Sequence, residues 1–195
     1  MARPRNFDER QVLGSVREQF WDRGYTATSV SDLMEVTGLG KGSLYGAFGD
    51  KRQLFLRTLD EYRAEQFDAV RGALEGPGTA LERLTGLLEG VSDGYRNDAQ
   101  RRGCLLANST SELHGQDPDV VSRARSTYQA VEDLLVACVE EAQRDGDLDR
   151  GTEARELGRL LLSVLQGIEF LAKTGMDGAA LKRIGNTVLA LLPRT

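Results

Sequence analysis

The sequence is poor in the residues that most enzymatic and metal-binding sites require. It has one histidine and two cysteines among 195 residues. A single histidine excludes most catalytic schemes that need an imidazole base, and so few ligands form no Cys/His metal cluster. No glycine-rich loop has the spacing that cradles phosphate groups. The sequence therefore predicts no enzyme, no metal site and no cofactor.

Proline and long apolar runs are also scarce. Only four prolines and no Ser/Pro tract occur, which argues against disorder. No apolar run approaches the roughly 18 residues of a membrane span, and the polar residues 1–10 lack the apolar part of a signal peptide. Two cysteines, Cys104 and Cys138, are too few for a disulfide framework in a chain of this length. We therefore expect a cytoplasmic protein with reduced thiols.

The remaining composition is that of a globular protein, with 40% hydrophobic and 28% charged residues. The net charge of −5 excludes a generally basic nucleic-acid-binding protein. Residues 1–60 carry nine basic and eight acidic side chains, a net +1, which leaves −6 for the remainder. This difference in net charge has the sign expected if the N-terminal part of the chain contacts phosphate groups.

Apolar residues recur at helical spacing along most of the chain, and no segment alternates as a strand does. This pattern predicts an all-α protein of about nine helices. Glycines and the Gly76-Pro77-Gly78 break separate them. The predicted helices lie at residues 8–23, 29–38, 40–48, 51–74, 79–95, 103–114, 118–144, 153–174 and 178–192.

The first 50 residues have the layout of a helix-turn-helix. Three short helices are predicted there, and a tight glycine-containing turn at residues 37–40 joins the second and third. The third helix keeps a small outer face, which a recognition helix needs because bulky apolar groups would block entry into the major groove. This face contains Lys41, Gly42, Ser43, Tyr45, Gly46 and Ala47.

We expect two domains on this basis. Residues 1–50 would form the helix-turn-helix DNA-binding domain, and residues 51–195 a helical ligand-binding and dimerisation domain. The helix at 51–75 would connect them. One alternative is a helical dimer that binds DNA constitutively as an architectural protein, and such a protein needs no ligand cavity.

Residues 24–55 resemble the signature of the TetR family of transcriptional regulators. The matching parts are Gly24-Tyr25-Thr26-Ala27-Thr28-Ser29-Val30, Leu33, TGLGKGSLYGAFGDK at 37–51, and Leu54-Phe55. The resemblance implies a DNA-binding regulator, typically a repressor that a small-molecule effector releases from a palindromic operator. It also favours a homodimer. The effector and the operator sequence are not specified by this pattern.

The resemblance implies DNA contacts by position. Tyr45 and Lys51 correspond to a phosphate-contacting pair, and Lys41 begins the recognition helix, where phosphate or guanine acceptors are favoured. The predicted set is Thr28, Ser29, Lys41, Gly42, Ser43, Tyr45, Gly46 and Lys51. Gly40 stands where the family often has a capping Ser or Thr, and Gly46 costs about 1 kcal/mol relative to Ala inside a helix. Both features predict a loosely held recognition helix.

The last two predicted helices carry broad apolar bands. Two such helices from each subunit would form a four-helix dimer interface, for which we predict Leu161, Val164, Leu165, Ile168, Ile184, Val188 and Leu191. The alternative is that both bands belong to the core of a single chain.

A polar face on the sixth helix predicts a ligand site. Cys104, Asn108 and Ser111 lie at i, i+4 and i+7, and a thiol, an amide and a hydroxyl suit a small amphipathic ligand. Cys104 also follows two arginines in the predicted first turn, which favours the thiolate and a thiol-reactive signal. The predicted ligand set is Tyr62, Cys104, Asn108, Ser111, Gln166 and Phe170. The alternative is a solvated polar face with a buried, inert Cys104.

Overall fold

The computed structural model describes residues 7–97 and 100–195. Within these ranges the chain forms nine α-helices and no strand, which confirms the all-α prediction. The helices are α1 (Glu9–Arg23), α2 (Val30–Thr37), α3 (Lys41–Phe48), α4 (Lys51–Leu74), α5 (Ala80–Asn97), α6 (Leu105–Leu113), α7 (Pro118–Asp145), α8 (Ala154–Lys173) and α9 (Gly178–Leu191).

The short N-terminal helices are bounded by local capping interactions. The Asp8 side chain accepts from the N–H groups of Arg10 and Gln11 at the start of α1. At the start of α2, Ser29 and Asp32 form a reciprocal capping box. Gly38 ends α2 with φ +67°, a left-handed conformation that glycine adopts without steric cost. These caps fix the tight turn that was predicted between α2 and α3.

The chain divides into two compact units. The first contains Met1–Ala64 and Leu105–Val121, so that α6 belongs with α1, α2, α3 and the first half of α4. The second contains Glu65–Cys104 and Ser122–Thr195. The domain boundary predicted after residue 50 lies at the end of the DNA-binding motif. The compact units divide at other residues, so this boundary stays a prediction about function.

The first unit has its own apolar core. Burial of each large apolar side chain contributes about 1.5–3 kcal/mol to folding. The fully buried members include Leu13, Phe20, Leu33, Leu44, Leu54, Phe55, Leu59, Leu105 and Leu106. The rings of Phe20 and Phe55 meet edge to face at 5.0 Å between centroids. This core holds the helix-turn-helix against α4 and α6.

The second unit packs α5, α7, α8 and α9 around a larger core. Gly158 allows a close approach of α8 to α7, because a Cβ there would lie 2.6 Å from Cγ2 of Val136. Across the same two helices, the buried Glu132 accepts from Arg155 at 2.7 Å and from Arg159 at 3.2 Å. None of the helices in the described ranges is long and apolar enough to cross a membrane.

Candidate DNA-binding and effector sites

Helix α3 presents an open polar face and buries the opposite one. Leu44 and Phe48 are buried against the rest of the first unit. A methyl group added at Gly42 or Gly46 would meet no atom within 4 Å, so the helix backbone is open to a close neighbour. The exposed residues of α3 include Lys41, Gly42, Ser43 and Gly46. This is the geometry that a helix needs to enter the major groove.

Two predicted contact residues lie together on α3. Lys41 is exposed, and its Nζ lies 5.8 Å from the ring centroid of the half-buried Tyr45. Gly40 precedes them in an extended conformation and provides no side-chain cap. The uncapped N–H groups at the start of α3 and the nearby Lys41 ammonium both favour an anionic partner.

Thr28 and Ser29 differ in the exposure of their side chains to solvent. Ser29 is exposed, and its Oγ accepts from the N–H of Asp32 at 3.1 Å. Thr28 is 1% exposed, and its hydroxyl donates to the carbonyl of Gly24 at 2.7 Å. The prediction is therefore corrected for the Thr28 side chain, which stabilises the turn before α2 and is not presented to DNA.

Lys51 lies at the start of α4 with its charge half-buried. Its Nζ stands 4.3 Å from the centroid of the Tyr25 ring, a cation–π distance. Burial lowers the pKa of Lys51, while Glu112 and Asp32 offset part of this effect. The Tyr25 ring thus places the ammonium group beside the loop that precedes α2, and the two carboxylates favour its charged form.

The structure adds residues of α6 and the following turn that the sequence analysis missed. Glu112 accepts from the N–H groups of Tyr25 at 3.0 Å and Thr26 at 2.7 Å. Arg52 donates to both oxygens of Asp117, at 2.7 and 2.9 Å. These pairs join residues 65 to 87 positions apart, and no local sequence signal identifies such distant partners.

Tyr62 links α4 to the start of α6 within the same unit. It is 2% exposed, and its hydroxyl accepts from the N–H of Leu105 at 3.3 Å. Its ring packs against Trp21 at 5.1 Å between centroids. The hydroxyl of Tyr62 thus joins the start of α6 to α4, and the role of Tyr62 in ligand binding stays a prediction.

The second unit contains a cleft of about 340 Å³. Helix α5 lines it with Gly86, Gly90 and Gly94 at i, i+4 and i+8, and apolar side chains line much of the rest. Glu169 of α8 is an ionisable group on its wall. None of the predicted ligand residues lines this cleft, although Gln166 donates to Glu169 at 2.9 Å.

Cys104 lies near Glu169 within the second unit. It is a buried cysteine that forms no disulfide bond, and it lies directly before α6, so the predicted position inside the first helical turn shifts by one residue. The Tyr128 hydroxyl is shielded from solvent, and burial, Cys104 and Glu169 all raise the pKa of Tyr128. The backbone at Gly103 closely approaches α8, since a Cβ there would lie 3.5 Å from the Glu169 carbonyl and from Cδ of Lys173.

The remaining predicted ligand residues differ in their exposure. Asn108 and Ser111 lie on α6 in the first unit, with Asn108 half-buried and Ser111 exposed. Phe170 is 66% exposed on α8. Their role in ligand binding stays a prediction.

The predicted dimer residues fall into two groups. Leu161, Leu165 and Ile168 are buried in the core of the second unit, which corrects their assignment to an interface. Val164, Ile184 and Val188 are partly buried, and Leu191 is 77% exposed. Leu160, at 48% exposure, is a large apolar residue on α8 that the sequence analysis did not include in the interface. An apolar surface therefore exists on α8 and α9, but it is narrower than predicted.

Several transcriptional regulators are similar to this chain over nearly its whole length. The regulator Rv0196 of Mycobacterium tuberculosis is 32% identical over 203 positions, with 95% of each chain covered. The repressor ComR of Escherichia coli is 28% identical, with 98% of this chain and 92% of ComR covered. A cysteine-substituted regulator CifR, solved with a 26-base-pair operator DNA, superposes with a TM-score of 0.88 at 28% identity, covering 98% of this chain and all of the other.

Two family models match the chain, one in its N-terminal part and one in its C-terminal part. Residues 13–58 match the model of bacterial regulatory proteins of the tetR family. Residues 80–188 match the tetracyclin repressor-like C-terminal domain. The chain therefore belongs to the tetR family, whose members are DNA-binding transcriptional regulators and not enzymes.

Proposed function

We propose that this protein is a repressor that binds a pseudo-palindromic operator as a homodimer, in the cytoplasm, and is released by a small-molecule effector. The observation that carries the proposal is the open polar face of α3 within a unit that matches the family's DNA-binding model. The cleft in the second unit favours an effector-responsive protein over a constitutive architectural one, which needs no cavity.

DNA contacts are assigned to exposed and half-buried residues of α3 and at the starts of α2 and α4. Lys41, Gly42, Ser43, Tyr45 and Gly46 would face the major groove from α3. Ser29 at the start of α2 and Lys51 at the start of α4 would contact phosphates on either side. One such set is too small for tight binding, so two copies on a twofold site are required.

The dimer would form through the apolar surface of α8 and α9. Leu160 and Val164 lie one turn apart on α8, and Ile184, Val188 and Leu191 lie at i, i+4 and i+7 on α9. Two helices from each copy would then pack as a four-helix bundle, which buries the exposed leucines.

A substitution at Leu191 tests the dimer. Leu191→Glu places a charge where the isolated chain has an exposed side chain, so the fold of each copy is preserved. Sedimentation velocity should show monomers, and a mobility shift with the protein's own upstream DNA should show greatly weakened binding. Ala190→Glu is the matched control, since Ala190 is also exposed on α9 but lies off this apolar stripe. A dimer that persists in Leu191→Glu would contradict the proposal.

The effector would bind in the second unit, beside Cys104 and Glu169. If the thiol is the sensor, N-ethylmaleimide should release the wild-type protein from its DNA through a new bond between Sγ and a maleimide carbon. The other carbon takes up a proton. Cys104→Ser should keep DNA affinity and lose this response.

Cys138 provides the matched control for the thiol experiment. Its Sγ is buried 3.4 Å from the Ala80 carbonyl oxygen, and burial raises the pKa of the Cys138 thiol, so little reactive thiolate forms. Cys138→Ser should therefore respond like the wild type. Release of Cys104→Ser to the wild-type extent would show that this thiol is not the sensor.

A further inference from the structure

The loop between α1 and α2 is held by a carboxylate from a distant helix. Glu112, near the end of α6, accepts from Tyr25 N–H through Oε2 and from Thr26 N–H through Oε1. The contact is so close that a Cβ at Gly24 would lie 2.8 Å from Oε2. Both oxygens of one half-buried side chain are thus used to fix the entry to the helix-turn-helix.

The same carboxylate acts on Lys51. Tyr25 is bonded to Glu112 through its backbone and carries the Lys51 ammonium over its ring. Glu112 also favours the charged form of Lys51 against the effect of burial. The position of the proposed phosphate-contacting lysine therefore depends on Glu112 through Tyr25, and the charge of Glu112 favours the protonated form of this lysine.

Helix α6 is fixed to the DNA-binding unit at both ends. At its start, the N–H of Leu105 donates to the Tyr62 hydroxyl on α4. Beyond its end, Asp117 and Asp119 both pair with Arg52 on α4. Glu112 lies between these attachments and reaches α1–α2, so that a rigidly held helix delivers the carboxylate.

We propose that Glu112 is a positioning residue for operator binding: its two hydrogen bonds hold the Tyr25–Thr26 loop, and through Tyr25 they hold Lys51 in place for a DNA phosphate. The proposal rests on the proposed DNA-binding function. It adds that loss of this contact lowers operator affinity without any substitution in α3.

Removing the charge of Glu112 has two effects on operator affinity, and they have opposite signs. Coulomb's law alone predicts that neutralising a carboxylate near the DNA-binding surface strengthens binding to phosphates. The positioning role predicts the reverse, since an amide has one acceptor oxygen and its NH₂ group faces a second backbone donor. The direction of the change in affinity therefore separates the two explanations.

The test compares Glu112→Gln with Glu35→Gln, whose side chain is exposed on α2. The probe is a fluorescein-labelled duplex of the protein's own upstream DNA, and anisotropy gives the affinity. We expect Glu112→Gln to bind at least tenfold more weakly. Glu35→Gln should bind as the wild type does or slightly more tightly. Wild-type or tighter binding by Glu112→Gln would overturn the proposal, whereas no binding by the wild type would overturn the proposed function instead.

A merely destabilised variant is recognised by two further measurements. If both copies of Lys51 in the dimer lose their phosphates when Glu112 is changed, the slope of log affinity against log salt should flatten by about two, roughly one for each lysine, whereas a smaller active fraction leaves the slope unchanged. In a double-mutant cycle with Lys51→Ala, the two losses should not multiply, because they act through the same contact. An unchanged slope with multiplicative losses would overturn the positioning role.

Discussion

Replacing Gly46 with alanine should stabilise the free protein and weaken its binding to DNA. Gly46 lies inside α3 with φ in the helical range, and a Cβ there would meet no atom within 4 Å. Alanine is favoured over glycine in a helix interior by about 1 kcal/mol. For a chain of this size, 1 kcal/mol raises the melting temperature by about 2–4 °C.

The added methyl group would protrude from the face that we assign to the major groove. There it would separate the α3 backbone from the base edges, so operator affinity should fall about tenfold, which equals about 1.4 kcal/mol. Gly14→Ala is the matched control: Gly14 is in α1, with nothing within 4 Å of its Cβ position and no assigned DNA contact. It should raise the melting temperature similarly and leave affinity unchanged.

Calorimetry and anisotropy on the same preparations provide both quantities. If Gly46→Ala raises the melting temperature and binds DNA as the wild type does, Gly46 does not face the groove. If neither glycine variant is stabilised, the account of the open helix surface is wrong.

Lys51→Ala should weaken binding to all DNA sequences about equally and flatten the salt slope of the dimer by about two, roughly one for each lysine, measured by anisotropy between about 50 and 200 mM salt; an unchanged slope would make Lys51 a solvated charge. Ile168→Ala should lower the free energy of unfolding by about 2–5 kcal/mol in urea titrations while the dimer persists in sedimentation, because Ile168 is 0% exposed; a stable monomer would restore it to the interface. Acid should destabilise the first unit. Burial opposes ionisation of Glu112, but hydrogen bonds from Thr26 and Tyr25 hold the pKa of Glu112 below its ordinary value. The contribution of the ionised carboxylate to folding stability is therefore complete above about pH 4.5 and is lost as the pH falls through the lower pKa of the folded state. Circular dichroism between pH 6 and 3 should show a smaller acid-induced loss of stability in Glu112→Gln than in the wild type; an equal loss would contradict this assignment.

The helices could be predicted from the sequence because their signals are local. Apolar residues at helical spacing locate α1 to α9, and glycines or capping residues such as Ser29 and Gly38 mark where helices begin and end. The small outer face of α3 is likewise visible in eight consecutive residues. The family signature adds roles to these positions that spacing alone does not supply.

The remaining features depend on which helices pack together. Periodicity shows that α8 is apolar over a wide arc, but only the packed structure separates the buried Leu161 and Leu165 from the exposed Leu160. Thr28 and Ser29 both carry hydroxyl groups near the start of a helix, but only in the folded chain is the Thr28 side chain buried. Glu112 meets its partners 86 and 87 residues earlier in the chain, so no local pattern identifies it.

Footprinting on the protein's own upstream DNA tests the central claim most directly. A homodimer that inserts one α3 from each copy into the major groove should protect a pseudo-palindrome whose half-site centres lie about one helical turn, or a multiple of it, apart. Gly46→Ala should protect the same two half-sites together, but only at about tenfold higher protein concentration. Protection of a single half-site, or even protection along the whole fragment without a sequence preference, would contradict the account of an operator-binding dimer.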